Sequence, residues 1–132
     1  MASSKSKAPP KTPTLVICDD DRMTRQIFRS VAERCGFEVL AGVDSAIEAL
    51  QLATRFRPDV LLLDLSLPNM SGEDIVAPIR AVAPDCTIVI CSAYDPSAAI
   101  RNGAVYVVPK GSPELLESTL NDLRMQKAAV AV

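Results

Sequence analysis

The sequence predicts an α/β protein in which a five-stranded parallel sheet carries helices on both faces. From Thr14 onward, short apolar β-rich runs alternate with amphipathic helical stretches. One run, Val60-Leu61-Leu62-Leu63, is apolar at every position, as a parallel strand covered on both sides should be. Acidic residues close the runs, Asp19 after the first and Asp64 after the third.

Each element has a local signature. The first strand covers residues 14–18. A helix over residues 22–35 places Ile27, Val31 and Cys35 on one face and stops at Gly36. The second strand covers residues 38–41, and Ser45-Ala46-Ile47-Glu48 then reads as a capping box. The helix it opens buries Ile47, Leu50 and Ala53 and ends before Pro58. The third strand spans residues 59–63, and a helix over residues 72–82 holds Pro78 in its interior, where the missing N–H predicts a kink. The fourth strand covers residues 87–91. Asp95-Pro96 is a cap followed by a first-turn proline and Asn102-Gly103 is a stop, so the fourth helix is short, about eight residues. The last strand covers residues 105–108, and Ser112-Pro113-Glu114 opens a final helix with Leu116, Leu120 and Leu123 on one face.

Composition narrows the function. With 132 residues there is one domain, burying roughly two-thirds of its unfolded surface. Residues 1–13, rich in Ser, Lys and Pro, read as a flexible tail before a domain over 14–126 and a short C-terminal tail, 127–132. A net charge of −2 gives no electrostatic reason to expect nucleic acid or an anionic membrane as partner. Without histidine the chain builds no His-based metal site, no Ser-His-Asp triad and no phosphohistidine. Cys18, Cys35, Cys86 and Cys91 form no Cys-x-x-Cys pair and read as small buried hydrophobes. No stretch reaches the roughly 20 apolar residues of a membrane span and no signal peptide is present, so a reducing cytoplasm is expected.

In such sheets ligands bind at the carboxyl ends of the strands, where strand order reverses. Those ends carry Asp19-Asp20-Asp21, Asp64, Ser92-Ala93 and, after the last strand, Lys110. A carboxylate that closes a buried strand and opens the turn Leu65-Ser66-Leu67-Pro68-Asn69-Met70-Ser71-Gly72 is expected to aim at solvent from the sheet rim. If the order is the flavodoxin-like 2-1-3-4-5, three carboxylates crowd one pocket, and a hard divalent ion, most plausibly Mg²⁺, relieves their repulsion and keeps positions open for a phosphoryl group. Read singly, Asp19, Asp20 or Asp21 could instead cap the first helix, with Asp21 favoured for that. Likewise Asp64 could form a turn and Lys110 be an ordinary surface lysine.

Taken together and in order, these residues resemble the receiver domain of two-component response regulators, over about residues 14–125. The match lies in Asp19-Asp20 after a hydrophobic strand, Asp64 in Asp-Leu-x-Leu-Pro-x-Met-x-Gly, Ser92-Ala93, and Gly103-Ala104 followed by Lys110. The resemblance implies that Asp64 accepts a phosphoryl group from the phosphohistidine of a sensor histidine kinase or histidine phosphotransfer protein. It implies Mg²⁺ held by the Asp20 and Asp64 side chains and the Ser66 carbonyl, with Asp19 acting through water. Lys110 would pair with the carboxylate and then the phosphoryl oxygens, which the Ser92 hydroxyl would also bond. Such a domain is no enzyme but assists its own phosphorylation and dephosphorylation.

The chain departs from the family in three places. Val107 stands where an aromatic is usual, and the neighbouring Tyr106 faces the other side of the strand. Pro109-Lys110-Gly111 replaces Lys-Pro, so no cis peptide is expected after Lys110. The stretch from Ser92 to Lys110 is shorter than usual. The first helix, with Arg22, Arg25 and Arg29, is expected to face the kinase. A stand-alone receiver signalling to a downstream protein is expected, since the sequence ends soon after the last helix. The alternative is a receiver-like interaction module regulated independently of phosphorylation. A dehalogenase-type phosphatase, suggested by Asp19-x-Asp21, lacks the Thr or Val expected at Met23.

Overall fold

The computed structural model describes residues 11–68, 70–93 and 106–131. Five strands, β1 (Thr14–Cys18), β2 (Glu38–Val43), β3 (Val60–Leu63), β4 (Thr87–Ser92) and β5 (Tyr106–Pro109), form one sheet in the order β2-β1-β3-β4-β5. All four pairings are parallel, so the reversal of strand order falls between β1 and β3. The helices are α1 (Arg22–Arg34), α2 (Ala46–Phe56), α3 (Gly72–Val82) and α4 (Pro113–Ala131). The short helix expected between Asp95 and Gly103 lies outside the described residues.

The two faces of the sheet bury separate cores. Val16, Cys18, Leu61, Leu63, Ile88 and Ile90 point to one side, under α2 and α3. Leu15, Ile17, Val60, Leu62, Val89 and Cys91 point to the other, under α1 and α4. Alternation continues in β5: Val107 packs on the first core while Tyr106 packs on the second. Tyr106 therefore does not occupy the space that an aromatic at Val107 would fill.

Helix ends follow the local chemistry. Asp21 caps α1, its carboxylate accepting from the Thr24 N–H at 2.9 Å and the Thr24 hydroxyl at 2.6 Å. Those bonds hold its pKa below the usual carboxylate value. Gly36, at φ +92°, ends the same helix. Ser45 caps α2, accepting from the Glu48 N–H at 3.2 Å, and Pro78 sits inside α3. The helix α4 begins at Pro113 and buries Leu116, Leu120 and Leu123. It runs on to Ala131, so most of 127–132, expected as a tail, continues the helix.

Two helices depart in part from the expected stripe: Val31, Cys35 and Ala53 are buried as expected, Ile27 and Ile47 are not. Ile27 is 46% exposed, and the buried face of α1 is Phe28, Val31, Ala32 and Cys35. In α2, Ile47 is 54% exposed and Leu50 half-buried, while Ala46, Ala49 and Ala53 meet the sheet. On α1 the buried face takes in Phe28 and Ala32 in place of Ile27, and on α2 small alanines allow close approach that a reading weighted to large side chains overlooks.

Candidate functional site

Register places the acidic residues together. Cys18 and Leu63 are partners across β1 and β3, so Asp19 and Asp64 leave the sheet side by side. The ladder runs one bond further: Asp19 N–H donates to the Val43 carbonyl at 3.0 Å, and Asp64 N–H to the Cys18 carbonyl at 2.9 Å. The β1–β2 pairing slips one residue between Leu15 and Val16, which brings Val43 level with Cys18 and so beneath this loop.

Contrary to the sequence expectation, Asp64 does not aim at open solvent: it is 2% exposed and Asp19 is 1% exposed. The turn after β3 folds inward, burying Leu65 and Leu67, and Lys110 closes over the carboxylates. The Lys110 ammonium lies 2.9 Å from Asp19 Oδ2 and 3.1 Å from Asp64 Oδ2. To do so it reaches across the end of β4, the two aspartates extending toward it from the ends of β1 and β3. Its backbone is anchored on the way, Lys110 N–H donating to the Ser92 carbonyl at 3.0 Å. Ser92 itself is buried at the end of β4.

Burial pushes the Asp19 carboxyl above its usual pKa, outweighing the bond from the Asp21 N–H and the contact with Lys110. For Lys110, burial works against the ammonium, but the bonds and charges of Asp19 and Asp64 outweigh it and raise its pKa. Asp19 Oδ1 accepts from the Asp21 N–H at 2.8 Å and Asp64 Oδ1 from the Ser66 N–H at 3.0 Å. The two Oδ2 atoms are buried with no hydrogen-bond donor in line, meeting Lys110 as an ion pair.

A cation fits this donor set. Asp19, Asp20 and Asp64 each offer an oxygen within 4.8 Å of the others, with Asp20 exposed at the mouth. One ammonium balances one of three negative charges, and an all-oxygen set suits a hard divalent ion. The structure thus brings Asp19, Asp20, Asp64, Ser66 and Lys110 into one pocket, with Ser92 behind the lysine loop.

A family model for the response regulator receiver domain matches residues 15–121. The chain belongs to that family. Receiver domains are signalling domains of two-component systems, and this one has the family's five-stranded 2-1-3-4-5 sheet. The chain is 28% identical over 112 residues to chemotaxis protein CheY of Thermotoga maritima, spanning 81% of this chain and 93% of that protein. It is 31% identical to CheY of Listeria monocytogenes over 68% of this chain and 79% of the relative. Among solved structures, the receiver domain of AraT from Geobacillus stearothermophilus superposes with a TM-score of 0.83 at 27% identity, covering 92% of this chain and all of that one. A response regulator from Burkholderia pseudomallei, solved with a phosphorylated aspartic acid, calcium ion and citrate, superposes at 0.73 with 28% identity over 89% of this chain and 70% of that one.

Two features of the receiver pocket carry no signal in the sequence motifs. Arg25 donates from Nη1 to the Asp19 carbonyl at 2.7 Å. The β2 edge also takes part, through Val43. Among the described residues no peptide bond is cis and no helix is long and apolar enough to cross a membrane.

Proposed function

We propose that this receiver takes a phosphoryl group onto Asp64 and signals by binding another protein. The observation that carries the reading is the Lys110 ammonium bridging two buried carboxylates, Asp19 and Asp64, beside a third. Phosphoryl transfer asks a protein mainly for in-line positioning and relief of charge on the equatorial oxygens. An Asp64 carboxylate oxygen attacks phosphorus, the phosphorus–nitrogen bond of the donor phosphohistidine breaks, and the imidazole nitrogen keeps the electron pair. Lys110 then shifts from Asp64 Oδ2 toward the new phosphoryl oxygens, and the Ser92 hydroxyl bonds one of them. Asp20, Asp64 and the Ser66 carbonyl would hold Mg²⁺, with Asp19 acting through water, and the ion would supply charge neutralisation for the incoming oxygens.

The donor is a histidine kinase or phosphotransfer protein, since this chain has no histidine of its own. The phosphoaspartate in the Burkholderia pseudomallei relative supports the chemistry. The near full-length match to CheY supports signalling without an attached output domain. Because Lys110 is anchored to the Ser92 carbonyl, its displacement pulls on the ends of β4 and β5 together, which turns a local charge event into movement of that surface.

Incubation with acetyl phosphate and Mg²⁺, read by intact mass, tests the reading. One acid-stable, base-labile phosphoryl group is expected on the wild type and none on Asp64→Asn. An unlabelled wild type points to the phosphorylation-independent module. Label that survives Asp64→Asn but vanishes in Asp19→Asn points to phosphatase-type chemistry.

A further inference from the structure

We infer that Arg25 is a positioning residue for the cation pocket: it orients the peptide plane that aims the Asp20 carboxylate. The inference rests on the function proposed above. The Asp19 carbonyl belongs to the peptide linking Asp19 to Asp20, so whatever holds that oxygen fixes the backbone from which the Asp20 side chain departs. Arg25 Nη1 holds it at 2.7 Å from the second turn of α1. On the preceding side, the Asp19 N–H is tied to Val43 of β2. On the following side, the Asp21 N–H is tied to Asp19 Oδ1 and the Asp21 carboxylate caps α1. Asp20 is the exposed member of the three carboxylates. Its placement therefore comes from the backbone around it.

The arginine itself is well placed to hold that carbonyl. Its side chain lies across Gly42 of β2, where an added Cβ would meet Arg25 Cδ at 3.5 Å. The stem thus lies against Gly42, and the guanidinium reaches the loop partly buried. Arg22 and Arg29, at the same groove, are exposed, and Arg29 pairs instead with Glu33 at 3.6 Å. Of the three arginines on this side of α1, Arg25 is the one bonded to the acidic loop.

Two variants separate donation from packing. Arg25→Met keeps an unbranched stem over Gly42 but has no donor, whereas Arg25→Lys keeps a donor. The readout is Mg²⁺ affinity without phosphodonor, from amide shifts of Asp20 and Asp64 in a magnesium titration, with urea unfolding in EDTA as the packing control. Arg25→Met is expected to weaken Mg²⁺ binding about tenfold, as loss of one charge-assisted bond would. Its urea midpoint should stay close to wild type, and Arg25→Lys should recover most of the affinity. Wild-type Mg²⁺ affinity in Arg25→Met overturns the inference, as does a loss that Arg25→Lys does not relieve. Neither result touches the proposed function, which fails separately if the wild type neither binds Mg²⁺ nor takes label from acetyl phosphate.

Discussion

Replacing Lys110 by methionine removes the cation that pairs with two buried carboxylates. The ammonium stands 2.9 and 3.1 Å from oxygens of residues 1% and 2% exposed, and is itself 24% exposed. Breaking a buried pair by deleting one partner costs about 3–5 kcal/mol, because the remaining charge is left buried. The partial exposure of Lys110 argues for the lower end, about 3 kcal/mol, or a fall in Tm of roughly 10 °C. Two further signs follow. Mg²⁺ at a hundred times its Kd adds about 2.7 kcal/mol, so saturating metal should return the variant nearly to the metal-free wild type. Asp19 has a raised pKa in the fold, so its favourable contribution is complete below the ordinary 3.8 and is lost as pH rises through the folded value. Without Lys110 that loss grows, and the deficit of the variant should narrow as pH falls. The assay is urea unfolding by circular dichroism in EDTA and in excess Mg²⁺, at neutral and mildly acidic pH. A deficit under about 1 kcal/mol in EDTA, or one that metal leaves unchanged, would show that the three carboxylates do not depend on this ammonium.

Other substitutions probe the frame. Leu120→Ala, at a fully buried position of α4, should cost about 2–5 kcal/mol in urea unfolding; a loss below 1 kcal/mol would mean that α4 is not docked on the sheet. Gly36→Ala should be destabilised by at least about 1 kcal/mol, because its φ is +92° and the new Cβ would lie 2.7 Å from Arg124 Cδ; an unchanged midpoint would contradict the left-handed turn. Burial pushes the thiols of Cys18 and Cys86 up to about 12 from 9.0. The native state then holds protons that the unfolded chain releases, so each thiol should remove about 1.4 kcal/mol of stability per pH unit between those values. Native thiols should also resist a thiol reagent at neutral pH, and rapid labelling before unfolding would refute their burial.

The strands and the acids at their ends were legible because each depends on short-range pattern, whereas the order 2-1-3-4-5 entered as a condition that the pairings meet. A run such as Val60-Leu61-Leu62-Leu63 is what a strand covered on both faces requires, and Asp19 and Asp64 follow directly from where such strands stop. Helix caps at Asp21 and Ser45 were legible for the same reason, since a cap involves only its neighbours within three residues. The buried faces of α1 and α2 were legible only in part: Val31, Cys35 and Ala53 are buried, but Ile27 and Ile47 remain exposed, and on α2 alanine reports close packing poorly in hydropathy. The burial of Asp64 was missed because it is a tertiary effect, produced by Lys110 arriving from across β4 and by the inward turn at Leu65 and Leu67. Arg25 escaped for a related reason. Nothing in its helix position announces a bond to a carbonyl six residues earlier.

The central claim is that Asp64 is the phosphoacceptor of a receiver pocket completed by Asp19, Asp20 and Lys110. Its most direct measurement is site mapping: label with acetyl phosphate and Mg²⁺, reduce the acyl phosphate with borohydride, and sequence the peptides by mass spectrometry. The account predicts homoserine at position 64 alone, and only when Mg²⁺ was present during labelling. Homoserine at position 19 or 20, or at 64 irrespective of the metal, would contradict it.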